Sequence, residues 1–193
     1  LTKGIDLSVG SVLAFGGLVT ASLVTGADPH NAFLSMLAGL TVGLLLGAIN
    51  GTIVARLAVA PFVVTLGMLS VARGLTFIYN DGMPIANLSP QFRFIGQGML
   101  GGIPVPVIIL AITFFVFWFI LKYTTFGRYV YAVGGNAEAA GLAGVRVKRI
   151  ITSVYVIAGG CAGLAGVIFA ARVISAQDRP GTYPASQANC SGV

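Results

Sequence analysis

The sequence predicts an all-α fold, a polytopic transmembrane helix bundle with about five spans, and three observations carry that prediction. Hydrophobic residues make up 56% of the chain and charged residues 8%, with a mean hydropathy of +0.95, whereas about a quarter of a soluble domain is charged. Residues 122–149 form a basic, glycine-punctuated segment that holds five of the eleven Lys and Arg residues, and the flanking runs 94–121 and 150–171 carry no charge. Each flanking run exceeds the roughly 20 residues that cross a hydrocarbon core as a helix, so the basic segment is a loop between spans. Cytoplasmic loops collect Lys and Arg, which places Lys122, Arg128, Arg146, Lys148 and Arg149 inside and orients the rest of the chain.

Residues 7–27 form an uncharged first span, with Asp6 and Ser8 at its start as candidate N-caps. Asp28, Pro29, His30 and Asn31 follow as a short outer turn without a basic residue. The second span, 31–55, carries Gly39, Gly43, Gly47 and Gly51 at four-residue intervals on one face. Such a stripe lets another helix approach closely, so packing inside the bundle is its expected role, with dimerisation through the same face as the sharper reading. The third span, 57–79, has Pro61 near its start and Arg73 inside it. A charge there faces a cavity, a partner or the outer interface.

Residues 80–102 hold turn signals at Asn80, Asp81, Gly82, Pro84 and Pro90 and read as an outer loop with a short interfacial segment. The fourth span, 103–121, is rich in Phe and contains Trp118, and Lys122 and Tyr123 mark the inner interface. The fifth, 150–171, has its own small-residue face of Gly159, Gly160, Gly163 and Gly166. Counted by side, seven basic residues lie inside (Lys3, Arg56 and the five of the loop), three outside (Arg93, Arg172, Arg179), and Arg73 is unassigned.

The loop itself is 28 residues long, far beyond the roughly 2–8 that join bundle helices. Gly134 and Gly135 break the preceding structure, and Asn136 is a good N-cap for a short helix from Ala137 to Leu142, with Glu138 in its first turn. The small residues Ala137, Ala139, Ala140 and Ala143 leave a smooth surface suited to docking, and Gly144 permits a stop.

Glu138, Ala139 and Ala140, followed after three residues by Gly144, resemble the coupling motif of the membrane subunits of ATP-binding-cassette importers. With GIDLSVGS at 4–11, APFVVTLGMLSVARGL at 60–75 and TTFGRYVYAVGGNAEAAGLAGVRV at 124–147, the chain resembles the inner-membrane permease subunits of ribose-type, monosaccharide importers from its first residue to about Gln177. The resemblance implies a transmembrane permease domain over 1–177, as a fragment with spans missing at both ends, in a bacterial inner membrane. It implies as partners separate ATPase subunits, a periplasmic or extracellular sugar-binding protein and a second permease copy or paralogue, all set in membrane lipid. The coupling residues would be Asn136, Glu138, Ala139, Ala140 and Gly144, and Asp6, Ser8 and Ser11 would line the translocation pathway. Plain N-capping is the other reading of that last group. Residues 178–193 depart from the family pattern and are expected to be a divergent tail.

No G-x-x-x-x-G-K-[ST] phosphate loop occurs, so no cofactor is expected in this chain and ATP would be bound by the partner ATPase. One His, five acidic residues and two separated cysteines, Cys161 and Cys190, offer no catalytic or metal-binding constellation. The net charge of +6 comes without a basic stripe interleaved with aromatics, which argues against nucleic acid as a partner. A secondary transporter or channel is the alternative function, and it calls for acidic or His ion sites within the spans.

Overall fold

A computed structural model of the protein describes residues 4–25, 32–80, 85 and 90–177. The expected outer turn at Asp28–Asn31, the turn residues Asp81, Gly82 and Pro84, and the tail from 178 onward lie outside the described residues, as do Lys3 and Arg179.

Eight helices and one short hairpin are described: α1 (Val9–Val24), α2 (Ala32–Leu57), α3 (Pro61–Asn80), α4 (Pro90–Gln97), the hairpin β1 (Met99–Leu100) and β2 (Ile103–Pro104), then α5 (Val105–Tyr123), α6 (Thr125–Gly135), α7 (Ala137–Leu142) and α8 (Val147–Gln177). Four of them, α2, α3, α5 and α8, are long and apolar enough to cross a membrane, and α1 is a shorter apolar helix of 16 residues. Span one is thus shorter than the 21 residues of its uncharged run. Asp6 sets its start, because the carboxylate accepts from the Ser8 backbone N–H at 2.9 Å and the Ser8 hydroxyl at 2.6 Å. Ser8 makes no capping bond with its own side chain, and Thr25 turns extended at the other end.

The α2–α3 junction falls at 58–60, beyond the Leu57 at which the third span was expected to begin. Ala58 adopts φ +52°, and α3 starts on Pro61. Proline needs no N–H partner in a first turn and drives the preceding residue out of helical geometry, so it restarts the helix here. The segment 80–102 is more structured than a loop. Phe92 of α4 is fully buried against Ala21, Val24, Val167 and Ala171, and Gly101 and Gly102 at φ +59° and +84° close the hairpin. Two left-handed residues in a two-residue loop match the twist of antiparallel strands. Ile103 and Pro104 therefore belong to β2 and not to span four.

The core is a three-helix seam. The α2 glycine stripe lies against α8, and a Cβ added to Gly43 would sit 2.9 Å from the Gly163 Cα. One on Gly51 would sit 2.9 Å from Thr152 O, and one on Gly163 would sit 2.7 Å from Gly39 O. Gly17 of α1 meets Gly166 of α8 in the same way, its added Cβ falling 2.6 Å from that carbonyl oxygen. Backbone touches backbone along this seam, the geometry that small residues permit between membrane helices. By contrast α5 buries no residue among those described and is apolar up to Lys122 in its last turn, the composition of a membrane span.

Filling the seam is expected to force α2 and α8 apart. Gly163→Val should destabilise the protein by about 1–3 kcal/mol, whereas Gly67→Ala, whose Cβ meets nothing within 4 Å, should leave it as stable or slightly more so. Thermal unfolding in detergent compares the two, and equal effects would contradict the seam.

Candidate functional site

The loop between α5 and α8 is two helices deep. Thr124 starts α6, accepting from the Gly127 N–H at 3.3 Å, and the helix buries Val130 and Val133. Gly134 and Gly135, expected to break structure, form the last residues of α6. Asn136 is extended at φ −150°, and its Oδ1 accepts from the N–H groups of Glu138 at 3.0 Å and Ala139 at 3.1 Å. It therefore caps α7 through two of the otherwise orphaned first-turn donors. At the far end Gly144 takes φ +84°. Its N–H bonds to Gly141 O and the Val145 N–H to Ala140 O, both at 3.0 Å, which is the Schellman pattern of helix termination.

A helix of only six residues is not stable alone, so these caps and one buried foot hold it. That foot is Ala140, packed with Val130, Val133 and Ile150, with Val145 and Val147 against them. Glu138, Ala139 and Gly144 are exposed. Leu142 is 92% exposed and is the most prominent apolar group on this knuckle. It was not singled out from the sequence, although its place between the Ala pair and Gly144 was visible. Lys122, at the end of α5, lies 5.0 Å from the Trp118 ring and 5.5 Å from that of Tyr123. The aromatic faces hold its charge at the end of the span.

The second group of candidates lies at the start of α1. Ser8 is 1% exposed and its hydroxyl accepts from Asn50 Nδ2 at 3.0 Å while donating to Asp6. Ser11 is also buried, donating to Ser8 O at 2.8 Å, and Thr65 of α3 reaches Ile5 O at 3.3 Å. Asp6, Ser8 and Ser11 thus come together, but the two serines are spent on internal bonds and Asp6 alone is half-exposed. Asn50 and Tyr155, which sequence reasoning missed, complete the cluster. Gly4 lies so near the Tyr155 hydroxyl that an added Cβ would come within 2.6 Å of it. Asn50 Oδ1 and Tyr155 Oη are buried without a hydrogen-bond partner among the described residues. Asn50 could have been noticed as the one amide well inside the glycine-striped span, Asn31 standing at its edge. Among the described residues no group of three His, Cys, Asp or Glu could hold a metal ion.

Residues 1–183 match the family described as "Branched-chain amino acid transport system / permease component". The ribose import permease protein RbsC of Haemophilus influenzae is 45% identical over 94% of this chain and 57% of its own length. The Escherichia coli K12 protein of that name is 44% identical with the same coverage, and the D-allose transport system permease protein AlsC of E. coli K12 is 41% identical over 100% of this chain and 60% of its own. The chain thus spans between 57% and 60% of the length of these relatives. No solved structure matches it significantly. With the matched region covering nearly the whole sequence and a bundle of membrane-length helices beneath it, this chain belongs to the permease-component family of membrane transport systems.

Proposed function

We propose that the protein is the transmembrane subunit of an ATP-driven importer of a monosaccharide, ribose-like or a related small polar molecule, in a bacterial inner membrane. The observation that carries this reading is the doubly capped α7, which presents Leu142 outward while Ala140 roots it in the cluster beneath α8. Relatives named for ribose, allose and arabinose transport support a sugar as cargo.

In this reading ATP binds and is hydrolysed in a separate ATPase, which receives α7 in a groove. Asn136 and Gly144 hold the helix ends, Glu138, Ala139 and Leu142 make the contact, and Ala140 passes the displacement to α8. Asp6 offers its carboxylate to sugar hydroxyls in the translocation pathway, positioned there by the Ser8 and Asn50 bonds, and Ser11 pins the turn beneath it. A sugar-binding protein outside the membrane delivers the cargo, and a second permease copy or paralogue supplies the other wall.

Leu142→Arg in the full-length protein, reconstituted with its ATPase and binding protein, should lose most ATP-driven uptake. Truncating or repelling such a central contact costs about 2 kcal/mol or more, roughly thirtyfold in affinity, and unchanged coupled uptake would exclude α7 as the docking element. Asn136→Ala should loosen the same helix by about 1 kcal/mol, seen as faster hydrogen exchange at Glu138 and Ala139; unaltered exchange would mean the cap is not what holds α7. A cysteine at Gly135 should react with an impermeant reagent only from the cytoplasmic side, and modification in intact cells would reverse the orientation.

A further inference from the structure

The α2–α8 seam leaves a groove on its outer side that the transport reading does not use. Where α2 ends and α8 begins, Arg56, Lys148 and Arg149 surround a cavity of about 580 Å³. Thr52 and Ser153 stand at its wall, and Val156 and Ile157 form an apolar floor. The two acids among the described residues, Asp6 and Glu138, do not line it. Ile157 also lines a second, largely apolar hollow of about 230 Å³, which runs past Leu44, Leu40, Gly160 and Leu164 of α2 and α8, with Thr113 and Phe117 of α5 along its flank. A cationic mouth thus opens into an apolar trough parallel to the spans.

We propose that this groove binds an anionic glycerophospholipid, with the phosphodiester between Arg56, Lys148 and Arg149 and one acyl chain laid over Ile157 toward Leu164. The shape selects the occupant. Three unneutralised cations call for an anion, and basic pockets between membrane helices on the cytoplasmic side are suited to anionic headgroups. The α8 N-terminus adds its dipole at the same mouth. A free phosphate or nucleotide would satisfy the mouth and leave the trough empty, and a neutral lipid would fill the trough and leave the cations unmatched. Gly160 lets the Leu44 side chain lie close against α8, since an added Cβ there would come within 2.8 Å of Leu44 Cδ2, and the two together line the trough. A lipid seated there bridges the two helices at the cytoplasmic end of the seam, next to the α8 turns that carry the knuckle.

Native mass spectrometry of the full-length protein in neutral detergent tests this with phosphatidylglycerol and phosphatidylcholine of equal chain length. Phosphatidylglycerol adducts should persist preferentially, and each of Arg56→Gln, Lys148→Gln and Arg149→Gln should lower their retention about fivefold, the factor for one basic side chain at an anionic surface. Arg73→Gln, on α3 and not among the groove's lining residues, should leave retention unchanged, and the exchanged set Arg56→Lys, Lys148→Arg and Arg149→Lys should restore it, separating charge loss from misfolding. Equal retention of the two lipids by the wild-type protein would overturn the proposal. Displacement by glycerol 3-phosphate alone would overturn it in favour of a soluble phosphate. None of these outcomes depends on ATP-driven uptake, so the proposal and the transport reading fail separately.

Discussion

Two helices in a membrane gain nothing by hiding apolar side chains from lipid that is equally apolar, so they associate only where their backbones fit closely. In this protein that fit is the glycine seam. Gly43 and Gly47 face Gly159 and Gly163 across the α2–α8 contact, Gly51 faces Thr152 and Tyr155, Gly39 meets Gly16 and Thr20 of α1, and Gly17 meets Gly166 where α1 joins α8. Each glycine weakens its own helix by up to about 1 kcal/mol relative to alanine, and the fold accepts that cost repeatedly along one line. The helices without such a line behave differently: α5 buries nothing, and Gly67 and Gly74 of α3 face open space.

The seam also determines how force moves. α8 is common to every packed unit: it forms the seam with α2 and α1, receives α4 through Gly96 against Ala171, and stands over the foot of α7 through Ile150. A push on Leu142 reaches Ala140 through a single turn of capped helix, then Ile150, then a 31-residue rod. Close-packed contacts of this kind shift between discrete arrangements more readily than they deform. In the proposed function, the close backbone contacts would oppose sliding of α8 against α2, so motion of α8 would carry α1 and α2 along, and with them the polar turn at Asp6.

The spans and the knuckle were legible in the sequence because each rests on local chemistry. Uncharged runs report membrane-length helices, and the Asn136 cap and the Gly144 stop act on backbone groups within four residues of themselves. α6 was hidden because its signal is amphipathic: Phe126, Val130 and Val133 recur at helical spacing inside a segment whose charges and glycines read as loop. α4 was only partly visible, since its fixing contacts, Phe92 among Ala21, Val167 and Ala171, join residues more than seventy positions apart in sequence. Sequence separation likewise hid Asn50, 42 positions from Ser8, and Tyr155 on α8. No periodicity within one helix reveals which polar group on another helix will meet it.

In the proposed function the polar turn at the start of α1 would join stability to transport. A buried carbonyl or hydroxyl left unpaired costs about 1–3 kcal/mol, and Asn50 Oδ1 and Tyr155 Oη are both in that condition among the described residues. Asn50 already spends its amide on Ser8, and Ser8 spends its hydroxyl on Asp6, so the cluster holds a donor chain that ends on a carboxylate and leaves one acceptor and one hydroxyl idle. A cluster built only to pin α1 to α2 would close with Asn50 replaced by an apolar residue and lose little. Retaining an amide with half its capacity unused makes sense where a second partner comes and goes, which water or a hydroxylated solute does and a fixed side chain does not. In the proposed function that unspent capacity would serve an exchangeable partner on the Asp6 side, where the cluster is half open, while the Asp6 bonds to Ser8 cap the helix start.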